Sequence, residues 1–197
     1  MKRLFDLIVS LMGLLLLFPF LIVIGLAILL FMGWPIFYRQ VRVGKNGQNF
    51  RIIKFRSMIK NADKQGPEFT TGGDSRITSL GRFLRNSKLD ELPQLINVLM
   101  GNMSLVGPRP EVPRFVALYT ERQKQVLSVR PGLTDPASIA YRNEEKILAE
   151  YEDSEKAYIE EIMPSKLELN LEYLRGANFT TDLSLIFKTI TAIFSRQ

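Results

Sequence analysis

The 197-residue chain contains no cysteine and no histidine. The first absence removes disulfides, thiolate–metal centres and a cysteine nucleophile. The second removes Ser-His-Asp chemistry, histidine-held zinc and the commonest general base. Any catalysis has to come from carboxylates, Lys, Tyr, Ser or a metal held by oxygen. Charge is missing as well from one long stretch, since no Asp, Glu, Lys or Arg occurs from Leu7 to Tyr38. Elsewhere the two signs separate. Arg39 to Lys64 carries eight basic residues and one acid, whereas Glu144 to Glu161 carries eight acids and two lysines. A basic tract of that kind suits a phosphate or an anionic bilayer, and the acidic one a solvated helix face.

The uncharged stretch reads as a membrane segment. It is roughly twice as long as the apolar part of a secretory signal, and no small-residue cleavage site follows it. A straight helix from Phe5 to Met32 would be about 42 Å long, more than the roughly 30 Å hydrocarbon core requires. Pro19, near the middle, would leave halves of about 14 residues, each too short to cross alone. Lys2 and Arg3 precede the segment, and Arg39, Arg42 and Lys45 follow it. Positive residues favour the cytoplasmic side, so both flanks ask for the same side. A re-entrant hairpin satisfies both and a kinked single span satisfies one; the charge pattern leaves the two open.

Ile36 to Met58 reads as a β-hairpin. Phe37–Val43 and Phe50–Phe55 are rich in β-branched and aromatic residues, and Asn46-Gly47 is a type I′ turn signal. Polar Asp63 to Gly73 reads as a loop. Asp74 is expected to cap a helix with Ile77, Leu80, Phe83 and Leu84 on one face and Arg76, Arg82 and Arg85 largely elsewhere. Leu92, Leu95, Ile96 and Leu99 mark the next helix, which ends at Gly101-Asn102. Then come a short apolar run, Met103–Val106, and a rigid turn, Gly107-Pro108-Arg109-Pro110. A helix from Pro113 to Val129, a second rigid turn at Arg130-Pro131-Gly132 and a long acidic helix from Glu144 to Met163, closed by Pro164, are expected next. Near the C-terminus, Leu183, Ile186, Phe187, Ile190, Ile193 and Phe194 form an amphipathic face that suits the core or the bilayer surface.

Asp90-Glu91 is the most informative pair. Pro93 has no N–H and is tolerated only in a first turn, so a helix starting near Asp90 places both acids at its positive end. Simple capping explains acids at such a position. Arg82, Arg85 and Lys88 lie just ahead, however. A carboxylate held among cations beside a membrane anchor suits a nucleophile, or a metal ligand, for a phosphate-bearing substrate. Mg²⁺ prefers carboxylates plus substrate phosphates to an all-protein cage. Arg109, between two prolines, is presented with little loss of entropy. A plain surface charge is the alternative for Arg109, and a charged sheet edge or bilayer contact for Arg51, Lys54 and Arg56.

Several motifs stand in order: the Pro-interrupted anchor, Lys54-Phe55-Arg56-Ser57-Met58, Gly81-Arg82-Phe83-Leu84-Arg85, Leu89-Asp90-Glu91-Leu92-Pro93-Gln94, Gly107-Pro108-Arg109-Pro110 and Arg130-Pro131-Gly132-Leu133-Thr134. The ordered set, from Lys2 to about Tyr173, resembles the monotopic phosphoglycosyl transferases, bacterial sugar transferases that begin glycan assembly on undecaprenyl phosphate. The resemblance implies a re-entrant anchor at the cytoplasmic face of the bacterial inner membrane, with both termini cytoplasmic. It implies that Asp90 attacks the sugar-proximal phosphate of a UDP-sugar and releases UMP. Polyprenol phosphate then takes the phosphosugar from the aspartate. It also implies that Glu91 joins Asp90 in holding Mg²⁺ or handles the acceptor's proton. Lys54, Arg85 and Arg109 match phosphate-binding positions, and Arg142 falls near another. Phe18 stands before Pro19 where many members carry Ser, and Asp135-Pro136-Ala137-Ser138 replaces their usual Gly-Leu-Ala-Gln.

The fold expected is α+β and mainly helical, with a re-entrant membrane anchor over 1–36 and a cytoplasmic catalytic domain over 37–197. That domain would hold a small β-hairpin and amphipathic interface helices. The partners expected are a UDP-sugar, polyprenol phosphate and the lipid bilayer; homodimerisation, the sugar and the glycan are left open. A rival is a non-catalytic membrane-surface scaffold that grips anionic lipid through Arg39–Lys64 and the C-terminal helix. The pI near 9.6 also raises a nucleic-acid binder, but the anchor and the lack of an aromatic-interleaved basic stripe argue against nucleic acid.

Overall fold

The computed structural model describes residues 1–62, 65–66 and 73–194. The loop expected over Asp63–Gly73 therefore lies almost wholly outside the described residues, as do the side chains of Ile193 and Phe194. The architecture is mainly helical with two small sheets. Helix α1 (Lys2–Met32) contains Pro19 and stays helical through it. The helical pattern continues through the proline, because backbone groups in an apolar setting must be satisfied within the helix and a kinked helix keeps most of them so.

Burial in α1 is inverted. Its covered residues are Asp6, Ser10, Gly25 and Ile28, while Leu15, Leu16, Phe18 and Phe20 stand exposed. An apolar surface of that extent marks a membrane-embedded helix. Both ends of α1 nevertheless touch one body. At the start, Lys2 Nζ donates to Val106 O at 2.9 Å and to Asp182 Oδ2 at 2.6 Å, and Arg3 Nη1 donates to Val98 O at 2.7 Å. At the other end, Arg56 Nη2 donates to the carbonyls of Met32 and Gly33, each at 2.6 Å. There Ile28 packs with Phe55 and Leu84.

The expected hairpin is present as β1 (Phe37–Val43) and β2 (Asn49–Phe55), antiparallel from Phe37↔Phe55 to Val43↔Asn49. Asn46 and Gly47 both take positive φ, as a type I′ turn requires, and Gln48 N–H donates to Lys45 O at 3.2 Å. Helix α2 (Ser79–Asn86) is capped by Thr78, whose hydroxyl accepts from Gly81 N–H, and not by Asp74. Asp74 instead forks the guanidinium of Arg76. Helix α3 (Gln94–Leu99) is pinned to β2 by Asn97: its Oδ1 accepts from Ile53 N–H at 2.9 Å and its Nδ2 donates to Arg51 O at 2.8 Å. One buried amide thus satisfies a strand edge that has no further strand beside it among the described residues.

Strands β3 (Ser104–Val106) and β4 (Gly132–Thr134) form a parallel pair that joins the two proline-rich turns. Gly132 N–H donates to Pro108 O at 3.0 Å. A Cβ on Gly132 would lie 2.1 Å from Gly107 N, so the chains meet this closely only without a side chain. This crossing holds the backbone of Arg109.

Two long helices expected from the sequence are broken up. Pro113–Val129 becomes α4 (Pro113–Val116) and a 3₁₀ stretch, Gln123–Ser128. Thr120 and Gln123 exchange side-chain-to-backbone hydrogen bonds, a capping box that starts a new helical segment. Helix α5 (Pro136–Ala140) follows β4. The acidic stretch divides into α6 (Glu144–Leu148), α7 (Ser154–Ala157, capped by Asp153) and a π turn, Tyr158–Ile162. Pro164 then opens α8 (Met163–Gly176) instead of closing a helix; the wider π turn ahead accommodates its missing N–H. Phe115, Tyr158, Leu148, Leu167 and Leu171 share one core here. Helix α9 (Phe179–Phe194) packs Leu185 and Ile186 against Leu95 and Leu105, leaving Phe187 and Ile190 outward.

Candidate active site

Lys88 takes φ 57°, and Leu89–Glu91 then form a single 3₁₀ turn closed by Leu92 N–H donating to Leu89 O at 3.3 Å. Leu92 and Pro93 keep helical angles into α3. The two acids therefore sit one turn ahead of α3, not inside its first turn, because Pro93 has no N–H to continue the α pattern back to Asp90. The helix that follows remains in line with them.

The adjacent carboxylates have opposite surroundings. Glu91 Oε1 accepts from Lys54 Nζ at 2.9 Å and from Arg109 Nη2 at 2.5 Å, and Oε2 accepts from Arg109 Nη1 at 3.2 Å. Burial alone would raise its pKa, but the Arg109 and Lys54 charges hold it well below the ordinary carboxylate range. Glu91 in turn pushes Arg109 upward. Lys54 is lowered by burial, which Glu91 opposes. Asp90 is 7% exposed, and its Oδ1 is buried with no hydrogen-bond partner among the described residues. Burial raises its pKa against the pull of Lys54. One acid is locked as a structural anion; the other keeps an oxygen uncommitted.

Of the cations expected at this place, Lys54 and Arg109 converge directly. Arg85 lies near enough to lower the pKa of Asp90, yet its guanidinium is ion-paired to Glu145 on α6. Arg142 sits half-buried in the turn entering α6. Glu145 was not foreseen as part of the site, since a tract of eight acids offers no means of singling one out. Gln94 was overlooked as well: it is buried, its Nε2 has no partner among the described residues, and its position four residues after Asp90 was a readable signal.

The described residues hold no cluster of three or more acids that could make a metal cage. With Glu91 shared between two cations, the uncommitted, buried Asp90 oxygen is the better ligand once it is exposed. That donor set fits a Mg²⁺ completed by substrate phosphates.

Comparison with known proteins places these features in context. A family model described as "Bacterial sugar transferase" matches residues 1–196. The exopolysaccharide production protein ExoY of Sinorhizobium fredii is 35% identical, over 98% of this chain and 84% of the relative. UDP-N-acetylgalactosamine-undecaprenyl-phosphate N-acetylgalactosaminephosphotransferase of Aeromonas hydrophila is 33% identical over 98% of this chain. UDP-glucose:undecaprenyl-phosphate glucose-1-phosphate transferase of Klebsiella pneumoniae is 38% identical over 96%. The chain spans only 44% and 39% of the length of these last two relatives.

Proposed function

We propose, since this chain belongs to the bacterial sugar transferase family, that it transfers a phosphosugar from a UDP-sugar to polyprenol (undecaprenyl) phosphate. The observation that carries the reading is the contrast between Glu91, clamped by Lys54 and Arg109, and Asp90, whose Oδ1 is uncommitted. The Asp90 oxygen attacks the sugar-proximal phosphorus of the donor; the bond to the bridging oxygen breaks and UMP leaves. The acceptor's phosphate oxygen then attacks the same phosphorus, giving polyprenol diphosphosugar and returning the carboxylate. Two displacements through a carboxylate need no histidine. They need charge neutralisation. Lys54 and Arg109 supply fixed positive charge beside the nucleophile, and Asp90, with Glu91 behind it, would hold Mg²⁺, which when bound neutralises the diphosphate.

Asp90 is nearly closed from solvent, so the carboxylate has to rotate outward, or its surroundings part, before a diphosphate reaches it. Both ends of α1 rest on the same body, which supports a re-entrant path with both termini on the cytoplasmic side of the cell membrane. A tag at the N-terminus that reacted from the outer side would overturn that topology. For the chemistry, Asp90→Asn should cut UMP release from a UDP-sugar by about 10⁴-fold or more while the protein stays folded. Wild-type turnover in that variant would refute the nucleophile assignment; no UMP release from the wild-type protein itself would favour a membrane-surface scaffold.

A further inference from the structure

A second basic concavity lies away from Asp90, at the start of the anchor. It is a cleft of about 530 Å³ between the first turn of α1, the β3–β4 layer and the start of α9, with Lys45 and Arg130 on its rim. That volume is of the size small-molecule sites have. Its two acids are already engaged: Asp182 takes Lys2 and the Tyr173 hydroxyl, and Asp6 accepts from Ser104 Oγ at 2.8 Å and Leu105 N–H at 3.2 Å. Arg3 is spent on the carbonyls of Val98 and Leu99. Two cations keep donors to spare. Among the described residues Lys45 makes no ion pair, and Arg130 makes a side-chain hydrogen bond only through its Nε, to Gly101 O at 2.8 Å. The reaction described above uses neither.

Position decides between ligands. The cleft opens between two helices whose outward side chains are apolar: Leu4 and Ile8 on α1, Phe179 and Phe187 on α9. In a bilayer those side chains meet acyl chains, so the level of Lys2 and Arg3 is the headgroup level. An occupant there needs an anion beside Lys45 and Arg130 and a hydrocarbon part beside Phe179. We propose that this cleft binds the phosphate of an anionic phospholipid headgroup, fixing the anchor's entry point against the cytoplasmic body. Arg130 of the Arg130-Pro131-Gly132 motif thereby serves lipid binding and not the sugar transfer.

The test uses the full chain in detergent, titrated with phosphatidylglycerol or phosphatidylcholine, with bound lipids counted by native mass spectrometry. The wild type should retain one phosphatidylglycerol about tenfold more strongly than phosphatidylcholine, and Lys45→Glu/Arg130→Glu should lose that preference with UMP release unchanged. Lys45→Gln/Arg130→Gln serves if charge reversal disturbs folding. Equal retention of the two lipids by the wild type, or a preference that survives in both double variants, overturns the proposal. So does full displacement of phosphatidylglycerol by millimolar inorganic phosphate, which would make the cleft a site for free phosphate.

Discussion

In α1 the covered residues include Asp6 and Ser10 while leucines and phenylalanines face outward; between Val112 and Leu171 the covered residues are mostly apolar, Phe115, Tyr158, Leu148 and Leu167 among them, and most of the acids face outward. The two regions are solved for different solvents. For the second, water drives apolar side chains inward. For the first, lipid outside makes an outward leucine costless, and the contacts that tie the helix down become polar ones: Lys2 to Asp182, Asp6 to β3, Arg56 to the final carbonyls. Asp90 and Glu91 lie where the two regimes meet, and they divide along the same line, one satisfied by charge and one closed off by burial.

The sharpest way to test the contrast is to remove the same atoms from each region. Leu148 is 1% exposed and Leu16 is 77% exposed. Leu148→Ala should cost about 2–5 kcal/mol, through lost transfer energy and the cavity left behind. Leu16→Ala should cost under about 0.5 kcal/mol and show instead as weaker partition into vesicles. Denaturant unfolding in micelles, with a flotation assay beside it, reads both. Equal losses of stability would mean that α1 is packed like a soluble core helix.

A polar deletion in α1 should come next in size. Asp6→Ala strips the acceptor from Ser104 Oγ and Leu105 N–H, both buried, and unmet buried donors cost about 1–3 kcal/mol. The effect should appear as a lower Tm and as protease access to the β3 segment. A variant as stable as wild type would show that the anchor is held by apolar contact alone.

Much of this was readable in advance, for reasons specific to each element. The hairpin was legible because Asn46-Gly47 demands positive φ between two β-rich runs, and the structure has that φ at both residues. Lys54, Glu91 and Arg109 were placed at one site only by the resemblance of their ordered motifs to a known family, since nothing local to each motif encodes their contacts across 18 and 37 positions. What escaped depends on distant partners. The parallel β3–β4 pair joins two three-residue runs whose pairing no local pattern encodes. Asn97 lies among the apolar positions that mark this helix and carries no local signal that it closes the edge of β2. The long helices failed because period was read without the restarts that Thr120, Asp153 and Pro164 impose.

The neighbouring acids should move stability in opposite directions. Glu91 has its pKa depressed in the folded state, so its contribution is present above the ordinary value of 4.5 and is lost as pH falls through the folded pKa. Asp90 has its pKa raised, so its ionised form opposes folding at neutral pH. At pH 7, Glu91→Gln should lower Tm and Asp90→Asn should raise it, each by about 2–5 °C. Turnover should also fail on the acid side at a pH above that of an ordinary carboxylate, because the attacking oxygen must be ionised. Shifts of the same sign for both variants would remove the distinction on which their separate roles rest.

The smallest effect expected concerns Arg85. Its guanidinium answers to Glu145 on α6 in this structure, while its charge is also felt by Asp90. A donor diphosphate that draws on Arg85 has to compete with that carboxylate. The pair is partly exposed, with side-chain accessibilities of 24% and 44%, so its strength is of the order of 0.2–1 kcal/mol. Glu145→Gln keeps the shape and removes the competing charge. KM for the UDP-sugar should then fall by about 1.4- to 5-fold with kcat unchanged, because an interaction in the free enzyme has been weakened and none in the transition state. Raising salt should shrink the difference between variant and wild type, since an exposed pair is screened. A rise in KM would reverse the assignment: Glu145 would then hold Arg85 in the pose that the donor needs, and α6 would be a wall of the binding site and not a competitor for it.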